Sequence, residues 1–229
     1  MTSDAVLVTG AGGLVGAEVV SALIAQGKRV IALVHNNHEI VRSDRTAVPQ
    51  SPLLTTVTGD VCQPQLGLSD ADAARIGEQT QSIVHLAATT AFDDSPEHYQ
   101  NLNIGGSANV VELALQWDVP MVHVSTAYVC GLRSGVVTED ELDVGQKFGT
   151  LYEQSKCRAE ELVRAAISER GLRACIVRPG IVSGRSDTGA VRDYKNLYIV
   201  LKLIVEGKLR SLPGRYDATL SLAPVDHVA

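Results

Sequence analysis

The sequence predicts an α/β fold, a doubly wound and mostly parallel sheet covered on both faces, and three observations predict it. Short apolar runs recur along the chain, helical patterns fill most of the gaps between them, and the first run opens directly onto a glycine-rich turn. Strands alternating with helices favour a parallel sheet, because a parallel neighbour needs a crossover long enough to hold a helix. The apolar runs lie at 5–9, 30–34, 53–58, 82–87, 121–125 and 173–178. With 229 residues, 45% of them hydrophobic, the chain can bury one sizeable core.

The first unit reads Val6-Leu7-Val8-Thr9-Gly10-Ala11-Gly12-Gly13-Leu14-Val15-Gly16. Glycines at 10, 13 and 16 have separable tasks: a tight turn, a close backbone approach to pyrophosphate, and close packing of helix on strand. The helix expected over 17–26 carries Val19, Val20, Leu23 and Ile24 on its apolar face, and Gly27 can end it. Phosphate is favoured at such a helix N-terminus, where free N–H groups and the positive end of the dipole meet an anion. The pattern implies a Rossmann dinucleotide site built on Gly10, Gly13, Leu14, Val15 and Gly16. Further helices are expected at 69–79, 99–117, 151–170 and 194–206, with Ser69 and Asp72 as an N-terminal cap and Gly171 as a stop. Segments 36–52, 131–149 and 183–193 are rich in Ser, Asp, Gly and Pro and read as irregular; the last two could border a substrate cleft.

Bulk properties exclude several functions. A net charge of −6 without a basic stripe argues against nucleic acid or an anionic membrane as the main partner. Four scattered cysteines with no C-x-x-C pair suggest reduced thiols rather than disulfides or a metal site. No apolar run is long enough to span a bilayer, and the first strand starts too close to Met1 for a signal peptide, so a soluble, cytoplasmic protein is expected.

A second constellation, Tyr152-Glu153-Gln154-Ser155-Lys156, sets a phenol and an ammonium one helical turn apart on the same face. A nearby cation favours the phenolate and draws a poor acid–base group toward the working pH. The helix follows a strand ending in Ser125-Thr126-Ala127-Tyr128, which puts hydroxyls at the carboxyl end of a strand, where open α/β sheets bind ligands. His85 and His123 fall on buried-strand patterns and read as satisfied core histidines; Cys130 reads as a buried thiol and Glu139-Asp140-Glu141 as a solvated loop.

Together these motifs resemble the extended short-chain dehydrogenase/reductase superfamily over essentially the whole length. The matching residues are Thr9 to Gly16, Gly59-Asp60-Val61, His85-Leu86-Ala87-Ala88, Asn103-Ile104-Gly105-Gly106, Ser125-Thr126, Tyr152 to Lys156 and Arg178-Pro179-Gly180. The resemblance implies that Asp60 and Val61 flank an adenine, that Ala87 and Ala88 line the cofactor, and that Asn103 fixes the central helix. It further implies that Thr126 binds the substrate oxygen, Tyr152 is the proton donor or acceptor and Lys156 holds the nicotinamide ribose, while Pro179, Ile181 and Val182 contact the nicotinamide. Within the branch, Gly59 to Ser69, Ser125 to Val129 and Phe148 to Lys156 are most similar to thioester reductases and fatty acyl-CoA reductases. The connection over 36–52 is shorter than usual in that group, and the substrate-binding part is largely absent. The expected organisation is therefore a dinucleotide-binding domain over 1–182 and a small, incomplete substrate-binding region over 183–229.

NADPH is favoured over NADH, because the end of the second strand offers His35-Asn36-Asn37 where NAD-binding chains place a carboxylate, and Arg42 and Arg45 follow. The implied reaction is hydride transfer to a carbonyl, foremost an acyl thioester reduced to aldehyde or alcohol, its acyl group carried on coenzyme A or a carrier protein. Reduction of other carbonyls, nucleotide-sugar epimerase or dehydratase chemistry, and a non-catalytic NADP sensor are the alternatives. In this superfamily helices such as the one ending at Trp117 often pair subunits, which leaves a homodimer open.

Overall fold

The computed structural model describes residues 4–36, 38–194, 197–211 and 219–229. Asn37 of the expected cofactor motif, Lys195 and Asn196 of the helix expected over 194–206, and part of the C-terminal segment lie outside these. Six parallel strands form the sheet: β1 Ala5–Thr9, β2 Arg29–Val34, β3 Leu54–Thr58, β4 Thr80–His85, β5 Met121–Val124 and β6 Ala174–Val177, in the order β3-β2-β1-β4-β5-β6. That order reverses direction between β1 and β4, and the crevice outside the carboxyl ends of strands at such a reversal is where doubly wound folds bind ligands.

Helices cover both faces: α1 Leu14–Ala25, α2 Asp70–Gln79, a short α3 Pro96–His98, α4 Gly106–Gln116 and α5 Leu151–Arg170. One core layer packs Leu7, Ile31 and Ile83 against Leu113, Val163 and Ala166 of α4 and α5; the other packs Val6, Val8 and Val30 against Ala17 and Val20 of α1. Ser69 caps α2 by accepting from the Asp72 N–H at 3.1 Å, and Gly171 ends α5 in a left-handed conformation at φ 73°.

Four features differ from expectation. Helix α1 begins three residues early, at Leu14, because Gly13 already has the extended conformation of an N-terminal cap. The central helix is not uniform, since Tyr99–Gly105 forms a wider π-helical turn before α4. The 36–52 connection contains a small hairpin, with Val41 bridging Ala47 and the Ser43 N–H held at 2.8 Å by the buried Glu18 carboxylate of α1. Beyond β6, strands β7 Ile181–Ser183 and β8 Leu222–Pro224 form a separate parallel pair, followed by α7 Val225–Val228, while α6 spans Leu197–Val205. Among the described residues no helix is long and apolar enough to cross a membrane.

Candidate active site

The crevice grows from the two strand ends at the reversal. After β1, Gly10 takes φ +69°, and a Cβ there would stand 2.6 Å from the Ala87 backbone nitrogen after β4. A Cβ on Gly16 would collide with the Gly10 carbonyl, so the first turn of α1 sits on β1 closer than any side chain permits. No side chain caps α1, and its first turn holds no acid. Its leading N–H groups therefore face the crevice, as an anion requires.

A cavity of about 540 Å³ runs from this turn to α5. It brings together Gly10, Gly13, Leu14, Val15, Gly16 and Ala88 with Thr126, Tyr152, Lys156, Pro179, Ile181 and Val182. The remaining residues expected at the cofactor stand outside that lining. His35 and Asp60 lie beside each other at the ends of β2 and β3, 3.8 Å apart, and Asn36 is exposed. Val61 is buried in the core against Gly106, and Ala87 packs against the same layer. Tyr128, from the strand-end motif, also lines the cavity, as do Phe92, Arg192 and Tyr198, which carry no motif that marks them in the sequence. Phe92 tilts over Tyr152, with ring centroids 5.7 Å apart.

Thr126 and Lys156 are buried, and Tyr152 is 9% exposed. The Thr126 side chain accepts from the Tyr128 N–H at 3.3 Å. The Lys156 ammonium donates to the Val124 carbonyl at 2.9 Å. Burial holds the Tyr152 phenol above its ordinary value, only partly offset by the neighbouring Thr126 side chain, which corrects the expectation that Lys156 draws it down toward the working pH. Burial pulls Lys156 down to about 8, partly opposed by the Glu160 carboxylate. Glu160 is fully buried; burial pushes its carboxyl up, but the guanidinium groups of Arg178 and Arg164 that hydrogen-bond it outweigh this and hold it below the ordinary range.

Behind these groups runs a buried polar chain. Thr9 Oγ1 meets His85 Nδ1 at 2.7 Å, His85 Nε2 meets Ser107 Oγ at 3.1 Å, and Ser107 donates to the Asn103 carbonyl at 2.6 Å. Asn103, raised on the π-helical turn, donates to Ser155 Oγ at 2.8 Å, and Ser155 donates to the Tyr152 carbonyl at 2.8 Å. Asn103 thus ties the central helix to α5. His85 is satisfied and, buried near Lys156, falls to about 3. His123 is equally buried, but neither ring nitrogen has a protein hydrogen-bond partner among the described residues, so only half of the expectation of satisfied histidines holds. It stacks 5.5 Å from His85, an arrangement in which burial, Lys156 and His85 keep it neutral.

Cys130 is half-buried rather than buried. In the acidic loop, Glu139 and Asp140 are exposed, as a solvated loop requires, while their carbonyls accept from Arg164 and the Glu141 side chain pairs with Arg133. Among the described residues no cluster of His, Cys, Asp and Glu could hold a metal.

Known proteins resemble this chain in sequence and fold. The family model described as Male sterility protein, an NAD-binding domain, matches residues 8–229. A hybrid PKS-NRPS synthetase of Talaromyces variabilis is 30% identical over 98% of the chain, which spans 5% of that protein. A 3-beta-hydroxysteroid dehydrogenase of Mycolicibacterium neoaurum is 28% identical over 94% of the chain and 56% of its own length. Among solved structures, the terminal R domain from the myxalamid PKS-NRPS pathway superposes with a TM-score of 0.87 at 33% identity, covering 100% of the chain and 60% of that domain.

Proposed function

The chain belongs to the Male sterility protein family within the extended short-chain dehydrogenase/reductase superfamily, NAD(P)-dependent oxidoreductases, and from that premise we propose that it uses NADPH to reduce an acyl thioester. The observation that carries the reading is the shared wall on which Thr126, Tyr152 and Lys156 face the same cavity as the uncapped glycine turn. The glycine turn would hold the pyrophosphate, Lys156 the nicotinamide ribose, and Pro179, Ile181 and Val182 the nicotinamide. Residues 1–182 would supply the dinucleotide site and 183–229 most of the substrate side. When bound, the dinucleotide supplies hydride to the carbonyl carbon.

The protein's own residues manage the oxygen. Thr126 orients the thioester carbonyl, and Tyr152 donates its proton to the developing oxyanion. A phenol held above its ordinary pKa stays protonated through the neutral range and so remains a competent acid. Lys156, cationic below about 8, offsets the phenolate left behind. The hemithioacetal then expels thiolate to give an aldehyde. Phe92 and Tyr128 narrow the approach to Tyr152 and limit water around the reacting atoms.

The acyl group would arrive on coenzyme A or on a carrier-protein arm. Support for a thioester comes from the resemblance around Gly59 to Ser69 and from the likeness to an R domain over the whole chain. The likeness to a hydroxysteroid dehydrogenase favours a second reading, reduction of a simple ketone by the same three residues.

NADPH oxidation against a panel of acyl thioesters, aldehydes and ketones tests both. Turnover of thioesters is expected; turnover of ketones alone selects the second reading. Tyr152→Phe should lose on the order of 10²-fold or more in turnover while cofactor binding stays intact. Undiminished turnover removes Tyr152 from the mechanism.

A further inference from the structure

The end of β2 lacks the carboxylate that selects NAD, yet His35, Asn36, Arg42 and Arg45 do not themselves line the cavity. Arg42 is engaged by Thr46, at 3.0 Å from its Nε, and Arg45 reaches the Arg192 carbonyl at 3.3 Å. The guanidinium that does line the cavity is that of Arg192, which lies 180 residues along the chain from Gly12. Its Nη2 donates to the Gly12 carbonyl at 2.8 Å and its Nη1 to the Val41 carbonyl, so the guanidinium bridges the glycine turn and the hairpin after β2. In a doubly wound fold the adenosine ribose rests between those two segments.

The neighbourhood is built to hold the side chain there. Arg192 is 16% exposed, and Val191 before it is buried. The segment that delivers it is fastened by Arg185, which pairs at 3.0 Å with the same buried Glu18 that holds Ser43 of the hairpin. Of the five guanidinium N–H groups, the two carbonyls and Asp193, at 3.3 Å, engage three, leaving two for an incoming anion. Backbone carbonyls orient the guanidinium without neutralising it, and Asp193 is a largely exposed partner of small effect.

We propose that Arg192 is the specificity-determining residue for the 2′-phosphate of NADPH, supplied from beyond the last strand of the main sheet rather than from the end of β2. The assignment rests on the reading that this cavity takes NADPH. A guanidinium meets a phosphate through parallel charge-assisted N–H bonds, whereas a ribose hydroxyl gains little from it.

Calorimetric binding of NADPH, NADH, 2′,5′-ADP and 5′-AMP to the wild type, Arg192→Gln and Arg192→Lys tests it without turnover. Arg192→Gln should weaken NADPH and 2′,5′-ADP by about ten- to a hundredfold, the range of a lost charged hydrogen bond, and leave NADH and 5′-AMP within about twofold by the same reasoning. Arg192→Lys, which keeps the charge but loses the fork, should fall between. Equal loss for phosphorylated and unphosphorylated ligands, or no loss at all, overturns the assignment and leaves Arg192 a structural strap. Wild-type protein that binds NADH as tightly as NADPH defeats the cofactor reading itself; a wild-type NADPH preference that survives in Arg192→Gln defeats only Arg192. Should Arg192→Gln fail to fold, the NADPH to NADH ratio of Arg192→Lys decides, an unchanged ratio overturning the proposal.

Discussion

Strand β1 and helix α6 are both short and apolar, yet all five residues of β1 are buried and none of the nine in α6 is. β1 lies between β2 and β4 with helices on both faces, so each of its side chains meets a neighbour. α6 leaves Ile199, Leu201, Ile204 and Val205 exposed. The sheet-forming part closes its core with elements from within 4–177, whereas polar fastenings tie the segment beyond β6 to it: Arg185 to Glu18 and Arg192 to Gly12 and Val41. The contrast separates two kinds of stability, apolar packing around the sheet and directed hydrogen bonds over the crevice.

The largest effect that sharpens this contrast is in the core. Ile83 on β4 is 1% exposed between the β1 and β5 partners, and Ile83→Ala should destabilise the fold by about 2–5 kcal/mol, the usual range for a buried isoleucine. Denaturant unfolding measures it. A loss below about 1 kcal/mol would mean that the sheet is far less tightly packed than its burial indicates.

A smaller effect follows from Lys156, where the two halves meet. Its folded pKa is lowered to about 8 while the unfolded chain titrates near the ordinary 10.5. On the proposed mechanism the cation is required for reduction and the Tyr152 proton is retained, so kcat/KM should fall about tenfold per pH unit above 8. Stability moves the opposite way. Between about 8 and 9 the unfolded chain binds more protons at this position than the folded one, so stability rises with pH. Above that window Cys62 and Cys157, each raised by burial to about 11, reverse the trend. Activity that falls together with stability across 8–9 would break the assignment of the limb to Lys156.

The same contrast governs what could be read from the residues. Buried parallel strands appear as apolar runs, and five of the six main strands fell within one residue of their expected limits at each end because nothing competes with that signal. β4 keeps its length but begins and ends two residues early, where Thr80 is itself buried. Thr126, Tyr152 and Lys156 were legible because helical spacing and strand position are local properties. Arg192, Phe92 and Tyr198 were not, since each reaches the cavity through tertiary folding that carries no periodicity. The unpartnered state of His123 was equally hidden: a buried-strand pattern reports burial and is silent on hydrogen bonds. Strands β7 and β8, three residues each, are too short to show alternation.

The smallest effect asked for is at Ile199, and it bears most directly on α6. Its side chain is 53% exposed, so Ile199→Ser removes little buried surface and changes helix propensity only slightly. Unfolding should shift by no more than about 0.5 kcal/mol, as for an ordinary surface position. Lys202 and Lys208 are close to Glu206, an exposed cluster that salt weakens, so the shift should be the same at low and high ionic strength. A cost above about 1.5 kcal/mol would equal a buried apolar side chain. It would mean that the α6 face is covered in solution, by a second copy or by another protein segment, and the division between a packed half and a fastened half would then give way to a single continuous apolar core.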